Sequence, residues 1–189
     1  MLTRRLQWTA GLRRCSKSNA LGPPPLSRSV RPHSRITIMS FTPDEKIQKI
    51  AEAYSLDACD FLRDHFRVKL DWSDASIQEI EKAMDTFSRQ AQSAKPTEEQ
   101  AMGFAKMFGS YVGEVYRKNH GATWGMVEMS GQSFPGLKAE LDGTLFWPWG
   151  RARNRLVDGA ENNVWHYYSQ LPKKPGTPEP PKKGWKFWR

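Results

Sequence analysis

The alternation of apolar and polar positions is most regular between residues 97 and 124. Ala101, Phe104, Ala105, Phe108, Tyr111, Val112 and Val115 recur at i, i+3, i+4 and i+7, the spacing of a helix with one buried stripe. Thr97 stands at the N-cap with Gln100 three residues on, a capping box in which each side chain satisfies the other residue's backbone N–H. Glu98 and Glu99 suit the positive end of the helix dipole, Lys118 the negative end, and Gly121 fits the position just past the helix. After it the period changes. Ala122 to Met129 puts Trp124, Met126 and Glu128 on one side and Thr123 and Val127 on the other, which predicts a strand.

The same reading extends along the chain. Thr42-Pro43-Asp44-Glu45 has Thr at N-cap, Pro at N1 and Glu at N3. It predicts a helix to about Arg67 with Ile47, Ile50, Ala51, Tyr54, Ala58, Phe61 and Leu62 as its apolar positions. Leu70-Asp71-Trp72 is a short extended piece. Ser73 caps a helix with Ile77, Ile80, Met84, Phe87 and Ala91 on one face, ending before Pro96. Ser130-Gly131 is a turn, and Phe134-Pro135-Gly136 a loop or second turn. Asp142-Gly143 joins two apolar runs, 137–141 and 144–147, as a hairpin, and Pro148 ends the second strand. Residues 149–157 and 162–171 read as short helices, with Val164, Trp165, Tyr168 and Leu171 buried. The fold class expected is α+β: antiparallel helices, then a small antiparallel sheet of two or three strands, then one or two short C-terminal helices.

Three glycines interrupt the central helix, each costing about 1 kcal/mol against alanine. Gly109 and Gly113 share a face with Ala105, making a groove almost free of side chains. Either another element packs closely there, or a ligand or partner does. The candidate binding residues are therefore Gly109, Tyr111, Gly113, Glu114 and Trp124. Catalytic chemistry has less support. The histidines lack metal-ligand spacing, and phosphate-loop, Rossmann and nucleophile-elbow motifs are missing, so no metal, cofactor or catalytic residue is assigned. The alternative is a small hydrolase using Glu114 with Tyr111 or His120, although residues six apart on a helix face different ways.

The formal charge of +9 suggests phosphate binding until its distribution is read. Residues 1–40 hold eight basic groups and no acid, and residues 172–189 hold six and one, so 41–171 is left at about −4. A basic groove for duplex DNA is not expected in the body, and tail-mediated nucleic-acid binding is the remaining form of that idea. The domain is expected at 41–171, between a disordered basic extension (1–40) and a Pro/Lys-rich tail (172–189). The extension fits a start at Met39, or a mitochondrial presequence if residues 1–38 are translated. The tail ends in Trp185, Lys186, Phe187, Trp188 and Arg189, a mixture suited to weak contact with an anionic membrane surface or to a partner pocket.

Leu70-Asp71-Trp72-Ser73, Phe108-Gly109-Ser110-Tyr111-Val112-Gly113-Glu114-Val115 and His120-Gly121-Ala122-Thr123-Trp124 together resemble a family of bacterial domains of unknown function. That family has a Leu-Asp-aromatic-Ser helix start, a Gly-x-Tyr-x-Gly-Glu-Val helix and a Gly-x-Trp strand. The resemblance covers about residues 70–171. It implies a bacterial cytoplasmic α+β domain, peripheral at the inner membrane face if the tail contacts lipid, and it supplies no catalytic residues. The expected function is a non-enzymatic module that binds a protein or peptide.

Overall fold

A computed structural model of the chain describes residues 39–94 and 96–175. The expectations placed on residues 1–38 and on the segment Trp185–Arg189 lie outside these. The described elements are β1 (Met39–Pro43), α1 (Glu45–Phe66), α2 (Ile77–Ala94), α3 (Glu98–His120), β2 (Ala122–Met129), β3 (Gln132–Ala139), β4 (Leu145–Phe146), α4 (Pro148–Val157) and α5 (Val164–Ser169). A 3-10 turn, Asp74–Ser76, leads into α2, and a second, Ala160–Asn162, precedes α5. The fold is α+β, the described residues forming five α-helices and one four-stranded antiparallel sheet in the order β1-β2-β3-β4.

Helix α3 is the axle. It packs on α1, α4 and the sheet, and every residue from Met107 to Tyr116 is buried. The expected single apolar stripe is thus only part of its buried surface. A helix enclosed on all sides tolerates small and polar residues if they are packed or hydrogen-bonded. Thr97 and Gln100 form the capping box, and Gly121 receives the helix end at φ 82°. Ser73 accepts from the Ser76 N–H at the start of the α2 segment.

Two local readings are corrected. Thr42 is not a helix cap. It lies in β1, opposite Met126, and Asp44 caps α1 by accepting from the N–H groups of Lys46 and Ile47. The polar Thr-Pro-Asp-Glu run fits two caps equally well, and pairing with a strand 80 residues away selects the second. Phe134-Pro135-Gly136 is not a loop but the middle of β3, paired with Val127, Met126 and Gly125. Proline is admitted because β4 pairs only with Leu137 and Lys138. Beside Pro135 the sheet has an edge, where the missing N–H breaks no ladder.

The sheet's inner face presents Trp124, Leu137, Ala139 and Phe146 to the helices, where they join the main core. Cross-strand partners share a face, so the register puts Phe41, Val127 and Phe134 in one row on the other side. There Val127 is fully buried while Phe134 is 37% exposed. The domain's contacts continue beyond the expected boundary at Leu171: the Tyr116 hydroxyl donates to the Pro172 carbonyl, and Lys173 pairs with Asp74.

Candidate functional site

The face expected to bind a partner is inside the protein. A Cβ on Gly109 would lie 2.7 Å from the Pro148 carbonyl oxygen and 2.9 Å from Trp149 Cα. A Cβ on Gly113 would run into the Trp124 ring and lie 2.9 Å from Leu137 Cδ1. The notch is thus filled by α4, β2 and β3, and Tyr111, Glu114 and Trp124 are buried with it. The Trp124 indole N–H donates to Glu114 Oε1 at 2.8 Å. Arg117 donates to the same carboxylate through Nε (2.9 Å to Oε1) and Nη2 (2.8 Å to Oε2). Arg117 also reaches Glu52 on α1, so the group ties α1, α3 and β2 together. Tyr111 accepts from the Trp72 N–H and shares a 2.7 Å hydrogen bond with Ser76. Burial pushes its hydroxyl up to about 12, against the lowering effect of these two bonds. The five candidate residues are a packing and hydrogen-bonding joint. A partner cannot reach them in the folded domain.

Glu114 and His120 are not brought together either. His120 Nε2 lies 2.9 Å from Asp74 Oδ2, while Asp74 Oδ1 accepts from Tyr168 (2.6 Å) and Asn119 (2.9 Å). Lys173 stands 3.4 Å from Oδ2. Burial works against the Asp74 charge, but hydrogen bonds from Tyr168, Asn119 and His120 outweigh it and hold the carboxyl below the ordinary range. Burial and the Asp74 carboxylate together push the Tyr168 hydroxyl far up. Asn119 also donates to the Trp72 carbonyl. Trp72 therefore has its N–H and C=O both held, at φ 63°, with its ring against Tyr111 and the Lys118 ammonium 3.4 Å from the ring centre. This gives the Leu-Asp-Trp-Ser segment a structural role: with Asn119 at the end of α3 it fixes a left-handed turn that a tryptophan rarely adopts. A carboxylate–imidazole pair could act as a general base. Here His120 is 1% exposed and Asp74 7%, so the pair is sealed from substrate.

Among the described residues, an open cleft of about 750 Å³ lies between α2 and the α4–α5 region. The sequence reading assigned no site here and expected Trp165 to be buried, whereas the ring is only partly so. On α2 the buried positions Ile77, Ile80, Met84 and Phe87 leave Glu81, Asp85 and Arg89, at four-residue intervals, on the flank. On α4, Ala152, Arg155 and Leu156 are the buried face. Arg155 enters the cleft floor almost fully buried, donating from Nε to Glu81 (2.7 Å) and from Nη2 to Asp85 (2.9 Å). Burial lowers its proton affinity, and the two carboxylates more than restore it. Glu81 also accepts the Val164 N–H at the start of α5. Arg89 caps Asp85 from the rim, and Trp165 and His166 form the opposite wall. On α4, Arg153 pairs with Glu98 of α3, while Arg155 pairs with Glu81 and Asp85 of α2. The available signal was the i, i+4, i+8 stripe of charge beside an apolar stripe, together with an arginine on the buried face of its own helix.

Among the described residues no cluster of three or more His, Cys, Asp or Glu side chains could hold a metal ion, and no helix is long and apolar enough to cross a membrane. No protein-family model and no curated protein matches the chain. Among solved structures, the fold is similar to that of a Bacteroides thetaiotaomicron VPI-5482 protein whose crystal structure was determined at 1.50 Å. The TM-score is 0.53 and the identity 12%, over 75% of this chain and 50% of that one. At that identity the likeness concerns the fold alone, and the present chain spans about half the length of the other.

Proposed function

We propose that the domain is a bacterial binding module for a protein or peptide, and that its contact is the α2–α4–α5 cleft rather than the glycine-notched face. One observation carries this reading: the α2–α4–α5 cleft is open and lined by Trp165 and by the exposed side chains of Lys82 and Arg89, whereas the residues around Glu114 and Asp74 are buried. Trp165 lines the cleft with a large, partly buried ring stacked on Tyr168 at 6.3 Å between centroids, and aromatic anchors of this kind dominate protein contacts. The module would act in the cytoplasm. Its aromatic-basic end, Trp185–Arg189, would add a weak contact with the inner membrane surface or a second partner. The resemblance to the bacterial domain family accords with this role and supplies no reaction to set against it.

The test is a selection of random displayed peptides on the full chain, repeated with Trp165→Ala. Peptides that bind the native chain and lose binding to a folded Trp165→Ala protein support the cleft. Peptides that bind both equally would overturn it. Sedimentation with anionic liposomes, with and without residues 184–189, tests the tail. Equal sedimentation would remove the membrane contact.

A further inference from the structure

We infer that β1 is an edge for self-association: it pairs antiparallel with β1 of a second copy of the chain, about a two-fold axis at Phe41, joining two four-stranded sheets into one. This surface is separate from the cleft and does not depend on it. β1 is an outer strand of the sheet, with β2 on one side. The Asp44 N–H donates to the Trp124 carbonyl at 3.1 Å, one step beyond the Pro43–Gly125 pair. In an antiparallel ladder, bonded pairs alternate with non-bonded ones. Thr42–Met126 and Ser40–Glu128 are therefore bonded pairs, and Met39, Phe41 and Pro43 turn their main-chain groups away from β2. Pro43 fits this placement, since its missing N–H falls on the outward side. Among the described residues no hydrogen bond reaches the outward N–H and C=O of Met39 or Phe41.

The strand's own sequence complements that edge. Edge strands are commonly guarded by charged side chains or bulges. Met39-Ser40-Phe41-Thr42-Pro43 carries no charge, and all of it except Phe41 is exposed. With two copies antiparallel about Phe41, each Phe41 N–H meets the other copy's Phe41 carbonyl. Each Met39 N–H meets the other copy's Pro43 carbonyl. Every outward N–H thus finds an acceptor, and the proline costs bonds only at the two ends of the joint. Sliding the strands until Phe41 faced Pro43 would leave the Phe41 carbonyls without donors, so the proline also fixes the register. The side chains match as well. Met39 faces Pro43 and Phe41 faces Phe41 on one side of the joined sheet, and Ser40 faces Thr42 on the other, apolar against apolar and hydroxyl beside hydroxyl. The row Phe134, Val127, Phe41 then runs on into the same row of the second copy. An edge about 17 Å long falls short of the roughly 1,000 Å² of a stable interface, so the dimer is weak and reversible.

The native full chain is tested first. Sedimentation velocity from about 10 µM to 1 mM, the range of weak contacts, should show a reversible monomer–dimer equilibrium. Hydrogen exchange read by NMR over the same range should show the Met39 and Phe41 amides becoming protected as the dimer forms. A chain that stays monomeric, or exchange at these amides that does not change with concentration, would overturn the inference. Protection independent of concentration would mean that a segment of the same chain occupies the edge. Charge exchange then tests the axis. Phe41→Lys and Phe41→Glu each set like charges opposite one another, and each alone should weaken self-association about fivefold or more. An equimolar mixture of the two should regain that factor, because opposite charges then face each other. Circular dichroism checks the folding of both. Association unchanged in either variant, or weakened in both without recovery on mixing, would remove the pairing at Phe41. If a variant does not fold, amide exchange in the native chain decides the matter alone.

Discussion

The indole N–H of Trp124 reaches Glu114 Oε1 at 2.8 Å across Gly113, whose missing side chain leaves the room for the ring. Removing the carboxylate leaves Trp124 without an acceptor and Arg117 with only Glu52. Glu114→Leu should destabilise the domain by about 3 kcal/mol, the scale for breaking a buried pair from one side. Trp124→Phe removes one donor and leaves the Arg117 pair intact, so it should cost less, about 1–2 kcal/mol. Urea denaturation orders the two. A larger loss for Trp124→Phe would mean that packing of the ring, not the charge, holds the joint.

Gly103 and Gly109 of α3 should respond in opposite directions to alanine. Nothing lies within 4 Å of a Cβ on Gly103, so Gly103→Ala should stabilise by about 0.5–1 kcal/mol through helix propensity. At Gly109 the obstruction is the Pro148 backbone, which cannot swing away, so Gly109→Ala should cost about 1–3 kcal/mol or more. Thermal melting of the two single variants is sufficient. The same sign for both would contradict the close approach of α4.

Asp74 couples stability to acid. Its carboxyl is held below the ordinary range in the folded state, so its contribution is complete above the unfolded pKa of about 3.9 and is lost as pH falls through the folded value. Asp74→Asn cannot lose what it lacks. The stability gap between native and Asp74→Asn proteins should be wide at neutral pH, begin to narrow near pH 4 and close only as pH falls through the lower folded value. Denaturation curves at both ends of that range measure it, and a constant gap would show that the carboxylate is not the titrating group.

Tyrosine ionisation gives the alkaline counterpart. Tyr111 and Tyr116 are each pushed up to about 12, mainly by burial. Unfolded tyrosine ionises near 10, so stability should fall as pH rises from about 10 toward 12. Absorbance titration of the phenolates should show these two ionising together with unfolding. Ionisation near pH 10 with the fold intact would place them nearer solvent.

Arg67 closes α1 at φ 58° and is exposed. Glycine adopts this conformation without the Cβ penalty, so Arg67→Gly should raise stability by about 0.5–1 kcal/mol. A loss on denaturation would show that the arginine side chain contributes more than its backbone costs.

Local chemistry was legible without the fold. The Thr97–Gln100 capping box, the Ser73 cap, the turns at Ser130-Gly131 and Asp142-Gly143, the strand at Ala122–Met129 and the boundary at Pro148 each arise among residues within a few positions of one another. Pro148 still shows the limit of such a reading: it ends the strand segment as expected, but it does so as the first residue of α4. β1 was missed because Met39-Ser40-Phe41-Thr42-Pro43 carries no signal apart from its partner, and β3 was read as a loop because nothing near Pro135 reveals that its N–H side lies at a sheet edge.

By itself, then, the sequence determined where the central helix begins, the turns at Ser130-Gly131 and Asp142-Gly143, and that small residues line one face of that helix. Only the tertiary structure decided what fills that face and which charges stay exposed. A glycine notch looks the same whether a partner or the protein's own tryptophan enters it, and the answer depends on residues 11 and 24 positions further along. Likewise Arg151, Arg153 and Arg155 are alike in sequence. Their separate fates, on Asn162, on Glu98 and at the cleft floor, follow from which acidic or polar group α2, α3 and the α5 approach bring within reach. Propensity acts over one or two turns, whereas burial and charge pairing depend on the whole packed chain.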